Sequence, residues 1–191
     1  MASVERFVRP DILETSEHFS PATFDVVLCY GGTLIYVCEK RREGTAQLIQ
    51  AAKPGGVILV SVMSRYDASL SHAQAPHLSI LKDPKSWHLH QVLESGDFAG
   101  YPSRAVEMLH PSMHLYTSEE IQAFFRSQAC EILEVLGSNV ALIEGSQSLR
   151  DIEEHEDTWD TIVELESRLN REPGLVDRGS HIIVASRRLA A

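Results

Sequence analysis

Two short apolar runs set the frame: Phe24-Asp25-Val26-Val27-Leu28-Cys29 and Val57-Ile58-Leu59-Val60-Ser61-Val62. Both are continuous and rich in branched side chains, the pattern of parallel strands covered on both faces. Between them Ala46, Ile49 and Ala52 recur at helical spacing and predict a helix face against the sheet. Lys53-Pro54-Gly55-Gly56 is expected to end that helix, since proline cannot continue it and glycine accepts a left-handed turn. Strand, helix and parallel strand make one right-handed crossover. Gly31 and Gly32 directly follow the first run, at the carboxyl edge where open α/β sheets place their ligands, so any active site is expected there.

The flanking pattern supplies further elements. Val4 to Val8 predicts a thin edge strand leading to Arg9-Pro10-Asp11-Ile12, and Ser20-Pro21-Ala22-Thr23 predicts a turn. From Ser64 to His114 the periodicity loosens over a stretch too long for a simple connection, which predicts an insertion, helical around Ser86 to Leu93, folded over the carboxyl edge as a lid or substrate wall. Thr117-Ser118-Glu119-Glu120 reads as a capping box, with Tyr116 and Ile121 placed as a hydrophobic staple and a helix running to about Gln128. Glu131 to Leu136 alternates as a strand closed by Gly137. Asp151 to Asn170 predicts an amphipathic helix with Ile152, Trp159, Ile162, Val163 and Leu169 near one face, stopped by Glu172-Pro173-Gly174. Ser180 to Arg188 predicts a last buried strand.

Composition narrows the class. At 191 residues, 43% hydrophobic and 23% charged, the chain fits a single ordinary globular domain. No apolar run approaches the ~20 residues that span a bilayer, and Met1 to Pro10 carry charges where a signal peptide needs an apolar stretch, so a cytoplasmic address without membrane association is expected. Seventeen basic against 27 acidic residues give a formal charge of -10, which repels a phosphate backbone and argues against nucleic acid as partner. Cys29, Cys38 and Cys130 have no C-x-x-C spacing and suggest neither a disulfide framework nor a zinc site. His88 and His90 are spaced H-x-H, yet no cysteine or carboxylate nearby completes a recognised ligand set, and no metal is assigned. Ser61 and Ser64 lack a nucleophile elbow.

Phe-Asp-Val-Val-Leu-Cys-Tyr-Gly-Gly at 24 to 32, followed by Lys-Pro-Gly-Gly-Val-Ile-Leu-Val-Ser-Val at 53 to 62, resembles the fourth and fifth strands of a class I S-adenosylmethionine-dependent methyltransferase. Leu115-Tyr116-Thr117-x-Glu119-Glu120 and the strand after it extend the resemblance. It implies an α/β, Rossmann-like sheet, mostly parallel, whose last strand runs antiparallel between the family's fifth and sixth. It also implies S-adenosylmethionine as cofactor and methyl transfer to a small-molecule acceptor. Asp11-Ile12 matches the acidic-apolar pair that ends the family's third strand and faces the adenine, although Pro10 stands where the family often has glycine.

The first two family strands have no counterpart. The eleven glycines include no G-x-G pair, so the glycine-rich cofactor turn is absent from this sequence. The chain thus reads as a single partial methyltransferase domain with residues 64–114 as its insertion. With the family's first strand missing, the strand at Val26 to Cys29 is expected to keep an open apolar edge, a possible site of homodimerisation. An alternative role follows from the same gap: a non-catalytic binding or assembly module.

The candidate chemistry follows from placement. The resemblance puts Cys29, Tyr30 and Gly31 against the cofactor, with Tyr30 lining the methyl site; the plainer alternative is a tight glycine turn. Asp11 and Ile12 join them as cofactor candidates, against the alternative that Asp11 only turns the loop after Pro10. Arg65 and Tyr66 follow the second strand and could receive an anionic or aromatic acceptor, or form a solvated loop. His114, just before the Thr117 helix, is the candidate general base, needed only if the acceptor must lose a proton.

Overall fold

The computed structural model describes residues 6–74, 89–100, 111–141 and 156–190. A single four-stranded sheet forms from β1 (Phe24–Cys29), β2 (Ala52–Met63), β5 (Cys130–Ser138) and β6 (His181–Arg188), in the order β1-β2-β6-β5. β1 and β2 are parallel, with Val26 opposite Val57 and Cys29 opposite Val60. β6 enters antiparallel to both its neighbours, pairing Val184 with Val60 on one side and Val135 on the other. This is the order and hand of the last strand that the resemblance implied. A two-stranded ribbon, β3 (Asp97–Phe98) and β4 (Met113–His114), stands apart from the main sheet.

The helices fill the connections. α1 (Thr15–His18) precedes β1, and a 3-10 segment (Thr33–Lys40) runs into α2 (Arg41–Ala51) to complete the crossover. α3 (Arg65–Gln74) follows β2 directly, α4 (Leu89–Ser95) leads into β3, α5 (Ser118–Arg126) into β5, and α6 (Glu156–Leu169) comes before β6. α2 borders β1 and β2 while α5 borders β5 and β6, and the two helices touch, so they share one face of the sheet.

The core lies where branched strand residues meet that helical layer. Ile58, Val60 and Val62 of β2, Ile182 and Val184 of β6, and Ile121 and Phe125 of α5 are all fully buried. Leu34 and Ile35 close it from the 3-10 segment. Thr117 caps α5 as expected: its hydroxyl accepts from Glu120 N–H at 3.1 Å. Tyr116 and Ile121, the expected staple residues, are both buried completely.

Four expectations need correction. Arg6 to Val8 is coil rather than strand, with Val4 and Glu5 outside the described residues; too few apolar side chains are present there to hold an edge. Ala46 is exposed, and α2 instead packs through Thr45, Leu48, Ile49 and Ala51, one step round the helix. Lys53-Pro54-Gly55-Gly56 does not separate helix from strand but lies within β2 as a bulge, since Phe24 and Val26 face Ala52 and Val57. Gly56 suits that bulge because a Cβ would stand 2.8 Å from the Lys53 carbonyl oxygen. In α6, Trp159 and Val163 are about half exposed, so the anticipated apolar face is not a buried one among the described residues. The start of that helix at Asp151, with Ile152, lies outside them, as does Ser86 at the head of the expected insertion helix.

Three substitutions test this packing by chemical denaturation. Ile182→Ala removes a fully buried side chain from the middle strand and should cost ~2–5 kcal/mol, against a smaller loss for Ile183→Ala on the less buried face. Thr117→Ala removes the α5 cap and should cost ~1 kcal/mol.

Candidate functional site

β1 and β2 end side by side, and the chain turns sharply after β1. Gly31 and Gly32 both have left-handed backbones, with φ of 74° and 73°, a conformation that favours glycine. A Cβ added at Gly31 would meet nothing within 4 Å, so this backbone faces open space. Its N–H is steadied by the Ser61 hydroxyl of β2 at 3.2 Å, and the Thr33 hydroxyl donates to the Tyr30 carbonyl at 3.3 Å. Tyr30 and Tyr36 stand half exposed around this turn. The result is an accessible glycine shelf with phenol rings at its rim. Cys29, just beneath, is buried, and burial pushes its thiol up, which keeps it a neutral packing group.

Across the same edge, Ser64 starts α3. Its hydroxyl accepts from Asp67 N–H at 3.2 Å and donates to the Asp177 carbonyl at 2.5 Å. Asp177 in turn takes Ser118 N–H at 2.6 Å and the Ser118 hydroxyl at 2.5 Å, pinning the start of α5. Tyr66 is half exposed. Arg65 points inward: its guanidinium donates to Glu120 Oε2 at 2.6 Å, to the Ser95 carbonyl at 3.2 Å and to the Leu115 carbonyl at 3.3 Å. Only 11% of its side chain is exposed, so the structure gives it to the fold rather than to an acceptor.

His114 is the centre of that inner cluster. It is fully buried, with Nδ1 2.6 Å from Asp97 Oδ1 and Nε2 2.7 Å from Glu120 Oε1. With a carboxylate on each nitrogen, neither is open to a substrate proton; the ring acts as a clasp between β3, β4 and α5. Arg41, from the start of α2, sits 4.0 Å from Asp97 and 3.9 Å from Glu120, and its guanidinium lies 5.9 Å from the Phe124 ring centroid. Two carboxylates and two guanidiniums thus surround one imidazole, an arrangement in which no charge is left unpaired. Glu120 therefore departs from its expected capping-box role: its carboxylate serves His114 and Arg65.

Asp11 and Ile12 lie away from the glycine turn in the chain. Asp11 Oδ1 accepts from Leu13 N–H at 2.9 Å and caps a short 3-10 turn, Ile12–Glu14. Ile12 packs part-buried against the core. Among the described residues no group of three or more His, Cys, Asp and Glu is placed to hold a metal; His88 lies outside them.

The cluster was not legible in advance. Asp97 reaches His114 through the β3–β4 ribbon, and Arg41 and Arg65 come from helix starts distant in sequence. Only the short step from His114 to Glu120, out of a strand and into a capped helix, could have signalled part of it.

The cluster has a pH signature. Burial raises the Asp97 carboxyl, but the His114 hydrogen bond and the charges of His114 and Arg41 outweigh it and hold the group below its usual range. Its stabilising contribution is therefore complete above about pH 4 and is lost as pH falls through the depressed folded value. Asp97→Asn should flatten the acid limb of a stability-against-pH curve, below about pH 4, measured by denaturant unfolding.

No model of a known protein family matches this sequence, and no curated protein does. Solved structures do. A SAM-dependent methyltransferase from Methanosarcina mazei superposes with a TM-score of 0.51 at 14% identity, over 93% of this chain and 65% of its own. An S-adenosylmethionine-dependent methyltransferase from Mesorhizobium loti gives 0.50 at 16% identity, over 89% of this chain and 64% of its own. The chain therefore spans about two thirds of the length of these neighbours. At such identities the likeness is one of architecture. With its parallel crossover, antiparallel β6 and glycine turn, the chain has the fold of a class I S-adenosylmethionine-dependent methyltransferase.

Proposed function

We propose that this chain presents the methyl-transfer face of an S-adenosylmethionine-dependent methyltransferase acting on a small molecule. The observation that supports this most is the open glycine shelf at Gly31, left-handed and unobstructed at the carboxyl end of β1. Backbone with no Cβ allows close approach of a ligand there, and Tyr30 stands at its rim. The residues present could hold part of the cofactor: Tyr30 and Gly31, with the Cys29 backbone beneath them, would border its reactive end, and Asp11 with Ile12 are carried as adenine-side candidates. The sequence supplies no G-x-G turn, so the rest of that site is not drawn from these residues.

When bound, the cofactor would supply an electrophilic methyl group, whose carbon–sulfur bond breaks toward a neutral thioether as a lone pair on the acceptor bonds the methyl carbon. The protein's share of such a reaction is alignment, together with exclusion of water. Tyr30 and Tyr66 offer apolar rings with a polar tip, suited to an aromatic or heteroaromatic acceptor. The anionic acceptor that Arg65 would have favoured loses its support, because that guanidinium is committed to Glu120. His114 acts as a positioning residue, holding α5 against the ribbon, and proton removal falls to the acceptor or to water.

A second reading, a non-catalytic assembly module, is favoured by the missing G-x-G and by the exposed edge of β1. Isothermal titration with S-adenosylmethionine and its demethylated product separates the two. Measurable binding that weakens about tenfold or more in Gly31→Val, whose side chain strains a left-handed position, supports the methyltransferase reading. An intact fold by circular dichroism with no binding would overturn it and leave the module.

A further inference from the structure

β2 changes partner along the edge it presents to β1. Up to Val60 that edge pairs with β1, whose Cys29 lies opposite Val60. From Met63 onward it pairs with the segment that follows β4. The Met63 carbonyl accepts Tyr116 N–H at 3.0 Å and Arg65 N–H donates to the Tyr116 carbonyl at 2.8 Å, a parallel bridge between Ser64 and Tyr116. Continued in register, β1 would bring Thr33 opposite Ser64, the place that fully buried Tyr116 holds. β1 therefore has to leave the sheet between Cys29 and Thr33, and the left-handed Gly31-Gly32 turn is how it leaves.

Ser61 stands at that handover. In a parallel ladder with Cys29 opposite Val60, the next acceptor for Gly31 N–H is the Ser61 carbonyl. The N–H goes instead to the hydroxyl of the same residue, at 3.2 Å. Side chains alternate across a strand, so this hydroxyl projects from the face opposite the core residues Val60 and Val62. Accepting there lifts Gly31 out of the sheet plane. The other end of the same peptide is held as well, because the Thr33 hydroxyl donates to the Tyr30 carbonyl at 3.3 Å. Two hydroxyls thus fix the Tyr30–Gly31 peptide in place of the ladder. Ser61, only 5% exposed, is the one supplied by a rigid strand.

We infer that Ser61 is a positioning residue for methyl transfer: by taking Gly31 N–H on its side chain, it ends β1 at Cys29 and sets the height of the Tyr30–Gly31 peptide. The role rests on the methyltransferase reading of the glycine shelf, whereas the hydrogen bond behind it does not. Without the hydroxyl, the strand acceptor left for Gly31 N–H is the backbone carbonyl at position 61, in the plane of the sheet. Reaching it draws the turn down toward the place of Tyr116 and tilts the shelf, and alignment is the protein's main share of this reaction.

Amide hydrogen exchange by NMR and isothermal titration with S-adenosylmethionine and its demethylated product, both on the full chain, test the inference together. Ser61→Ala should speed Gly31 exchange about tenfold and weaken binding of both probes about fivefold to tenfold. Ser61→Thr, which keeps the hydroxyl and suits a strand, should restore both. Gly31 exchange unchanged in Ser61→Ala overturns the inference, and so does faster exchange with binding unaltered, since the bond is then structural only. Weaker binding that Ser61→Thr does not rescue overturns it too. A wild type that binds neither probe overturns the methyltransferase reading and this role with it; Gly31 exchange, read without ligand, then tells whether the hydrogen bond itself stands. Should Ser61→Ala fail to fold, Ser61→Cys, a weaker acceptor of similar size, replaces it, and a Gly31 amide and probe affinity that do not respond overturn the role.

Discussion

The architecture depends on β6 lying between β2 and β5. Among the described residues it is the last strand and the only one with main-sheet neighbours on both sides that are antiparallel to it, and its Ile182 and Val184 are buried completely. A strand in that position converts two separate pieces, the β1-α2-β2 crossover and the α5-β5 unit, into one sheet with one core. Its backbone hydrogen bonds are satisfied on both edges, which is the condition for burying it. Arg188 at its end adds a clasp, donating to the carbonyls of Ile49, Gln50 and Ala52 where α2 passes into β2.

Once β6 is in place, the carboxyl edge of the sheet is assembled from four separate chain segments. The glycine turn after β1, the Ser64 cap after β2, the Asp177 anchor on α5 and the His114 cluster converge there. Their polar groups are largely committed to one another. Arg65, Glu120, Asp97 and His114 form a closed set, and a half-satisfied version of such a cluster would be worse than an apolar one. The groups left exposed are the glycine backbone and the Tyr30, Tyr36 and Tyr66 rings. That division between an inward charged lock and an outward apolar shelf is why the shelf, and not the most titratable residues, is the better candidate for chemistry.

Much of the scaffold was legible in the residues. The two branched apolar runs specified parallel strands, Thr117 specified a helix start, and Ser180 to Arg188 specified a final strand, because each signal is local and matches its element's period. The misreadings were also physical. The Ala46 face failed because one step around a helix changes which side chains meet the sheet, and Thr45 buries as well as alanine when its hydroxyl bonds the Arg41 carbonyl at 2.8 Å. The lysine-proline-glycine-glycine run does follow the helix end at Ala51, but it joins β2 instead of standing apart from it, because a bulge tolerates those residues.

By itself, then, the sequence determined the crossover, the capped helix and the glycine turn, since these depend on neighbours a few residues apart. Only the tertiary structure decided what Arg65, His114 and Glu120 do. Their partners come from Asp97, Arg41 and Ser95, brought close by a ribbon and by helix starts that no local pattern relates. A charge or an imidazole in a sequence has no fixed role, because its role is set by whichever opposite charge or solvent the fold brings within a few ångströms.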